Sequence, residues 1–302
     1  MHANNEIGVL QPIKEIGELC KKYNSIFHSD VAQSIGTQTI DVSDMNIDAL
    51  SISAHKIYGP KGIGALFISN SIKNTLRPLM SGGGQEMGLR SGTQSPALCV
   101  GLGEACKMIQ ENIDDFILHY KKLKSCLLTE LVNGKFEFNI NGSVEKRIPN
   151  NLNIAIAGKV SEQLFNFMPH IALSSGSACT SGTIERSHVL SSMKLQDHRI
   201  DGSFRISFGR ETTKDEIKEF RTKITELFNA FDQFGKELME AVALYLDLEQ
   251  EYFEPHISNG NSVLRTIHYP PVAEDHGERS GAHGDINLIK WHEELDFFNT
   301  SG

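Results

Sequence analysis

The chain has 302 residues, 39% of them hydrophobic and 22% charged, with a net charge of -9, which suits a soluble protein of one large or two ordinary domains. No apolar run approaches the ~20 residues of a membrane span, and no basic-then-apolar segment opens the chain as an export signal would. Five cysteines without a CxxC pair read as reduced thiols in a cytoplasmic setting. Charge is uneven, with 25 Lys+Arg against 24 Asp+Glu in residues 1–228 and 4 against 14 in 229–302. Neither part has the basic patch that nucleic-acid binding requires.

In chain order, Asn4-Asn5-Glu6-Ile7-Gly8 is a turn, and Pro12 opens an amphipathic helix with Ile13, Ile16, Cys20 and Tyr23 on one face. Ser25–His28 reads as a strand ending at Asp30, Asp48–Ser53 as a second ending at His55-Lys56, and Gly64–Ser69 as a third. This alternation predicts an α/β layered domain. A Gly-rich loop at Ser81–Gly84 and Arg90-Ser91-Gly92-Thr93 precedes a long helical pattern, Pro96 to Val132, expected to break where one domain hands over to the next. Phe136–Ile140, Asn151–Ile156 and Phe204–Phe208 read as strands of that next domain, with a helix at 160–167 and a loop of small residues from Ser174 to Glu185. Thr213 and Glu216 form a capping box for a helix whose apolar face is Ile217, Phe220, Ile224 and Phe228, running to about Leu246.

Two residues draw chemical interest. Lys56 ends a strand beside small residues, where desolvation would free its amine for Schiff-base chemistry; alone it reads as a solvated lysine before a tight turn. Cys179, in Ser174-Ser175-Gly176-Ser177-Ala178-Cys179-Thr180-Ser181-Gly182, sits in a run that cannot anchor a core, so its thiol is expected to be exposed and nucleophilic. The alternative for Cys179 is a free surface thiol. The other four cysteines lie in helical patterns and read as packing residues. Asp30, with Gln33 three residues on, stands at a strand end, where ligands of open α/β sheets bind; alone it is a turn or cap residue. Arg205, in Phe204-Arg205-Ile206-Ser207, reads by alternation as an exposed strand residue.

Together, His28-Ser29-Asp30-Val31-Ala32-Gln33-Ser34 and Ser53-Ala54-His55-Lys56-Ile57-Tyr58-Gly59-Pro60-Lys61-Gly62 resemble the cofactor region of the class V aminotransferase superfamily. With the turn at Asn5, the glycines 82–84, Thr93 and the Cys179 loop, they are similar to group I cysteine desulfurases of the NifS/IscS type over residues 1–228. The resemblance implies a fold type I pyridoxal-phosphate enzyme, with a large-domain part at 1–107 and a small α/β domain at 108–228. It implies that Cys179, Lys56 and His55 are catalytic and that Lys56 carries the cofactor. Asp30 would pair with the pyridine nitrogen, Gln33 with the ring hydroxyl, and Ser53 and His55 with the phosphate. Thr93 would reach the phosphate of the other subunit of a homodimer. Asn5 and Arg205 would hold the carboxylate of L-cysteine. The products would be alanine and a Cys179 persulfide, passed to an acceptor such as an iron–sulfur scaffold or a tRNA-thiolation relay. Family members carry about a third more of the catalytic domain ahead of the Asn5 turn, so the resemblance also implies impaired cofactor binding and turnover in this chain.

The acidic segment 229–302 carries Tyr269-Pro270-Pro271 and His283-x-Asp285. It resembles a helix-and-strand fragment of isopenicillin N synthase-like, 2-oxoglutarate-dependent dioxygenases. The resemblance implies that His283 and Asp285 are two ligands of an incomplete iron site, a remnant not expected to retain Fe(II). The chain is therefore read as a desulfurase segment joined to a dioxygenase segment at about 225–232, by natural fusion or by an artefact of gene prediction. The open alternatives are a dioxygenase-like oxidoreductase or an inactive chain.

Overall fold

The structure is a computed structural model that describes residues 1–156, 161–174 and 186–257. The N-terminal residues form a hairpin, Ala3 bridging Leu10, whose turn needs a left-handed glycine. Gly8 has φ +70, and a Cβ there would meet the Asn151 Oδ1 at 2.6 Å. Helix α1 (Ile13–Lys22), strands β1 (His28–Asp30) and β2 (Ala49–Ser53), and strand β3 (Gly64–Ile68) follow. β1 pairs with β2 in parallel and β2 with β3 antiparallel.

α1 packs by the face its sequence suggests over Ile13, Ile16 and Cys20, but Tyr23 falls at the C-cap, beyond the helix. Ile13 and Gly17 are buried, whereas Tyr23 is 69% exposed. Gly17 lies on the same face: a Cβ there would lie 1.9 Å from the Met45 carbonyl oxygen, so the helix seats backbone to backbone, closer than any side chain allows. The strand expected at Ser25–His28 shifts to His28–Asp30, because Ser25 N is spent closing the helix on Cys20 O at 2.8 Å. A small apolar cluster of Ile13, Val31, Ile47 and Leu50 fills the space between α1 and the sheet. The edge strand β3 is exposed, Leu66 and Phe67 included.

The second layer begins with α2 (Pro96–Asn133), a single helix of 38 residues, about 57 Å long at the usual rise. The expected break is absent, because both halves of the helix are occupied. Gly101 approaches Pro60 and Ala105 approaches Gly59 beneath the lysine turn, while Tyr120, Leu123, Leu127 and Leu131 enter the second core at helical spacing. Then come β4 (Phe138–Ile140), β5 (Asn151–Ile156), α3 (Ser161–Phe167), α4 (His188–Ser192), α5 (Asp197–Asp201), β6 (Ser203–Ser207), α6 (Lys214–Tyr245) and α7 (Glu254–Ile257). The three strands are antiparallel in the order β4-β5-β6.

β5 reads Asn-Leu-Asn-Ile-Ala-Ile, an alternation that suggests one wet face, yet all six residues are buried. Leu152, Ile154 and Ile156 join Phe204 and Ile206 of β6 and Ile217, Phe220, Ile224 and Leu227 of α6 in a large core. Asn151 and Asn153 face the N-terminal hairpin instead. α6 starts at the capping box: Thr213 Oγ1 accepts from Glu216 N at 3.2 Å, and Glu216 Oε2 accepts from Thr213 N at 2.7 Å. It continues unbroken through residue 228. Its apolar face is as read except that Leu227 is buried and Phe228 half-buried. The packing reading of the cysteines holds for Cys20 and Cys126, which are half-buried; Cys99 and Cys106 are exposed on α2. Among the described residues no helix is long and apolar enough to cross a membrane.

Candidate active site

Parallel pairing of β1 with β2 brings their carboxyl ends together, Asp30 lying opposite Ser51. Asp30 is exposed, and its Oδ1 accepts from Ala32 N at 2.8 Å, which fixes the carboxylate at the strand end. Its carbonyl accepts from His2 N at 2.7 Å, and Val31 N extends the ladder to Ser51 O at 3.1 Å. Gln33 is half-buried in the turn that follows. Burial, and secondarily the N-terminal ammonium, lower the pKa of His2.

β2 runs directly into a single helical turn, Ala54–Ile57, which carries His55 and Lys56, both exposed. Ser53 Oγ and His55 Nδ1 are 3.0 Å apart. Buried Ala54 and Ile57 anchor the turn, leaving Lys56 on the outer side. Tyr58 ends the turn in the left-handed region at φ 65. Its hydroxyl accepts from Arg210 N at 2.9 Å, and the Arg210 guanidinium lies 4.4 Å over its ring. The lysine turn is thereby latched to the segment leaving β6. Burial above all, and then the neighbouring Tyr58, raises the pKa of Tyr120.

The second group of residues meets at β6. Arg205 is half-buried rather than exposed, and its Nη1 donates to Asn5 O at 2.7 Å. Alternation failed here because the N-terminal turn covers that face of the sheet. Ser174 pairs with Arg205 in both directions, Arg205 N donating to Ser174 O at 2.7 Å and Ser174 N to Arg205 O at 3.3 Å. The segment leading to Cys179 therefore departs from beside Arg205. Cys179 itself lies outside the described residues, as do His283 and Asp285. Thr93 is exposed on the loop between β3 and α2.

Asp30, Gln33, Ser53, His55 and Lys56 thus share one end of the first sheet, and Asn5 and Arg205 form a second group. The hairpin joins the two, since His2 bonds Asp30 and Asn5 bonds Arg205. The donor set fits pyridoxal phosphate: a carboxylate for a ring nitrogen, an amide for a hydroxyl, a hydroxyl–imidazole pair for a phosphate and an exposed amine for the aldehyde. The sequence reading missed Tyr58 and Arg210 as partners, and also the fully buried Glu6 and buried Arg147. Of these, only Glu6 and Tyr58 carried a signal, as members of the motifs already named.

The comparisons bear on the same residues. The aminotransferase class-V family model matches residues 1–220. The mitochondrial cysteine desulfurase of Eremothecium gossypii is 45% identical over 247 residues, covering 82% of this chain and 49% of that protein. A NifS-like protein from Rickettsia africae superposes with a TM-score of 0.67 at 35% identity, covering 76% of this chain and 60% of that one. The structure named SspA in complex with cysteine superposes with a TM-score of 0.56 at 36% identity, covering 68% of this chain and 57% of that one. The chain spans about half the length of the curated relatives it matches. A match over 82% of the chain necessarily runs past residue 229, into the segment read as dioxygenase-like, and none of these comparisons supports that reading. By the family model and the fold, the chain belongs to the aminotransferase class-V family.

Proposed function

We propose that the chain carries the active-site residues of a pyridoxal-phosphate cysteine desulfurase, which converts L-cysteine to L-alanine and keeps the sulfur as a persulfide on Cys179. The observation that carries this reading is the meeting of three segments at Arg205. Its guanidinium holds Asn5, its backbone holds Ser174 at the root of the Cys179 segment, and the hairpin leads from Asn5 to the Asp30 end of the first sheet. Chain length alone keeps Cys179, five residues beyond Ser174, within about 18 Å of it. The names of the relatives and the cysteine bound in the SspA structure support the same chemistry.

Asp30 would hold the ring nitrogen, Gln33 the ring hydroxyl, and Ser53 with His55 the phosphate, with Thr93 of a second copy completing that site in a homodimer. Pyridoxal phosphate supplies an electron sink for chemistry at the substrate's α and β carbons. Arg205 and Asn5 would orient the substrate carboxylate, a task suited to a guanidinium fork. The Lys56 amine would move the proton at Cα. The Cys179 thiolate would attack the substrate sulfur, forming an S–S bond and breaking the C–S bond; the electron pair leaves with carbon, which is protonated to the methyl group of alanine. The persulfide would pass to an acceptor protein, such as an iron–sulfur scaffold. Residues 1–107 would form the cofactor layer and 108–228 the layer bearing the thiol.

The test is release of alanine and sulfide from L-cysteine by the chain supplied with pyridoxal phosphate and a thiol reductant. The expected result is release that Cys179→Ser and Lys56→Ala each abolish. Release undiminished in Cys179→Ser contradicts the reading.

A further inference from the structure

Three successive carbonyls of the Asn5–Ile7 turn are each held by a side chain from the second layer. Asn5 O accepts from Arg205 Nη1 at 2.7 Å. Glu6 O accepts longer bonds from Asn151 Nδ2 at 3.5 Å and Asn153 Nδ2 at 3.4 Å. Ile7 O accepts from Arg147 Nη2 at 2.8 Å, and the same Nη2 donates to Asn141 O at 2.6 Å. Arg147 is 4% exposed, and its Nε and Nη1 have no hydrogen-bond partner among the described residues. Burial draws its pKa down to about 10, so it remains charged at neutral pH. A buried guanidinium on carbonyls alone is expensive, and a neutral long side chain would fill the same space. What the charge adds is two strong bonds from a single nitrogen to backbone that is otherwise far apart in sequence.

Backbone bonds tie the hairpin to the second layer through its far arm. Leu10 N bonds Lys146 O at 3.0 Å and Ile148 N bonds Gly8 O at 2.9 Å. The Asn5 arm, whose side chain would face the substrate, is bonded by backbone to the far arm at Asn4 N–Val9 O, 3.0 Å, and to β1 at His2 N–Asp30 O, 2.7 Å, and reaches the second layer through side-chain donors. Asn141, the other anchor of Arg147, is itself buried and donates to Asn153 Oδ1 at 2.7 Å and Ser203 Oγ at 2.8 Å, so it is fixed to both β5 and β6.

The geometry points to Arg147 as a positioning residue for the substrate-carboxylate site: it clamps the Asn5 turn to the second sheet so that Asn5 and Arg205 converge on one carboxylate. This rests on the function proposed above. It assigns to Arg147 no contact with substrate.

The test uses Arg147→Met, which keeps the length and removes the donors, and Arg147→Lys, which restores one charged donor. In the cofactor-free chain, amide hydrogen exchange at residues 4–8 is expected to rise about tenfold in Arg147→Met, with α6 amides from 217 to 227 unchanged within twofold. With pyridoxal phosphate bound, the L-cysteine concentration that half-shifts the visible spectrum is expected to rise about tenfold. The Lys56-dependent absorbance itself should be retained, and Arg147→Lys should recover part of both losses. Unchanged exchange at residues 4–8, or faster exchange with unchanged L-cysteine response, overturns the assignment. If Arg147→Met does not fold, Arg147→Lys decides: exchange and half-saturation both within twofold of the parent overturn it. No L-cysteine response in the parent is the separate failure of the proposed function, and the exchange result then decides whether Arg147 holds the turn at all.

Discussion

The two sheets of this molecule have the same strand number and opposite economies of burial. The second sheet is covered on both faces: its central strand is wholly buried, and 17 buried residues among those described, from α2, α3, α6 and the strands or their flanks, make one core. The apolar cluster on the first sheet has four buried residues among those described, and its edge strand β3 exposes Leu66 and Phe67. Yet the first sheet carries Asp30, Ser53, His55 and Lys56. The groups proposed to hold the cofactor sit on the weakly cored layer, and α2, the hairpin and the Tyr58–Arg210 contact tie that layer to the strong one. The stability of the site should therefore depend on those ties more than on the first sheet's own core.

The largest test of this contrast is Phe204→Ala. Phe204 is fully buried between Phe165 and Phe220, so truncation should cost about 3–5 kcal/mol, read from denaturant unfolding followed by far-UV circular dichroism. Leu50→Ala, in a cluster with few buried neighbours, should cost less, about 2–3 kcal/mol. Its loss should appear as faster exchange around Lys56 with α6 protected. If both substitutions melt the whole chain in a single transition of equal cost, the two layers are one cooperative unit and the contrast fails.

Smaller effects sharpen it. Thr213→Ala removes the α6 cap and should cost about 1 kcal/mol. Glu216 accepts from Thr213 N and then from Thr213 Oγ1, which holds its pKa below the ordinary glutamate value. Its contribution is therefore full above that ordinary value and is lost as pH falls through the depressed one. Stability of the parent should drop more steeply at acid pH than that of Glu216→Gln. Equal acid slopes would show that the cap's charge is immaterial.

Much of this was legible in the sequence where the chemistry is local. The capping box, the strand ends at Asp30 and at Ser53–Lys56, and the helix at 96–132 follow from short patterns. The chain showed less where a distant segment decides. Arg205 looked exposed because alternation cannot reveal that the N-terminal turn covers it. The close seat of α1 at Gly17 was not legible, because a backbone-to-backbone approach leaves no periodic trace. Arg147 had no signal at all: it lies in a polar loop, and its role exists only because Ile7 O and Asn141 O meet in space. Leu227 joins the core beside the half-buried Phe228, which packs on Phe136, because positions 224, 227 and 228 all fall on one face of a 3.6-residue period.

The most direct test of the central assignment is the visible absorption of the purified chain mixed with pyridoxal phosphate, beside Lys56→Ala. The account predicts a band that requires Lys56 and shifts when L-cysteine is added. A spectrum identical in the parent and in Lys56→Ala would contradict it, leaving the strand-end cluster without its cofactor.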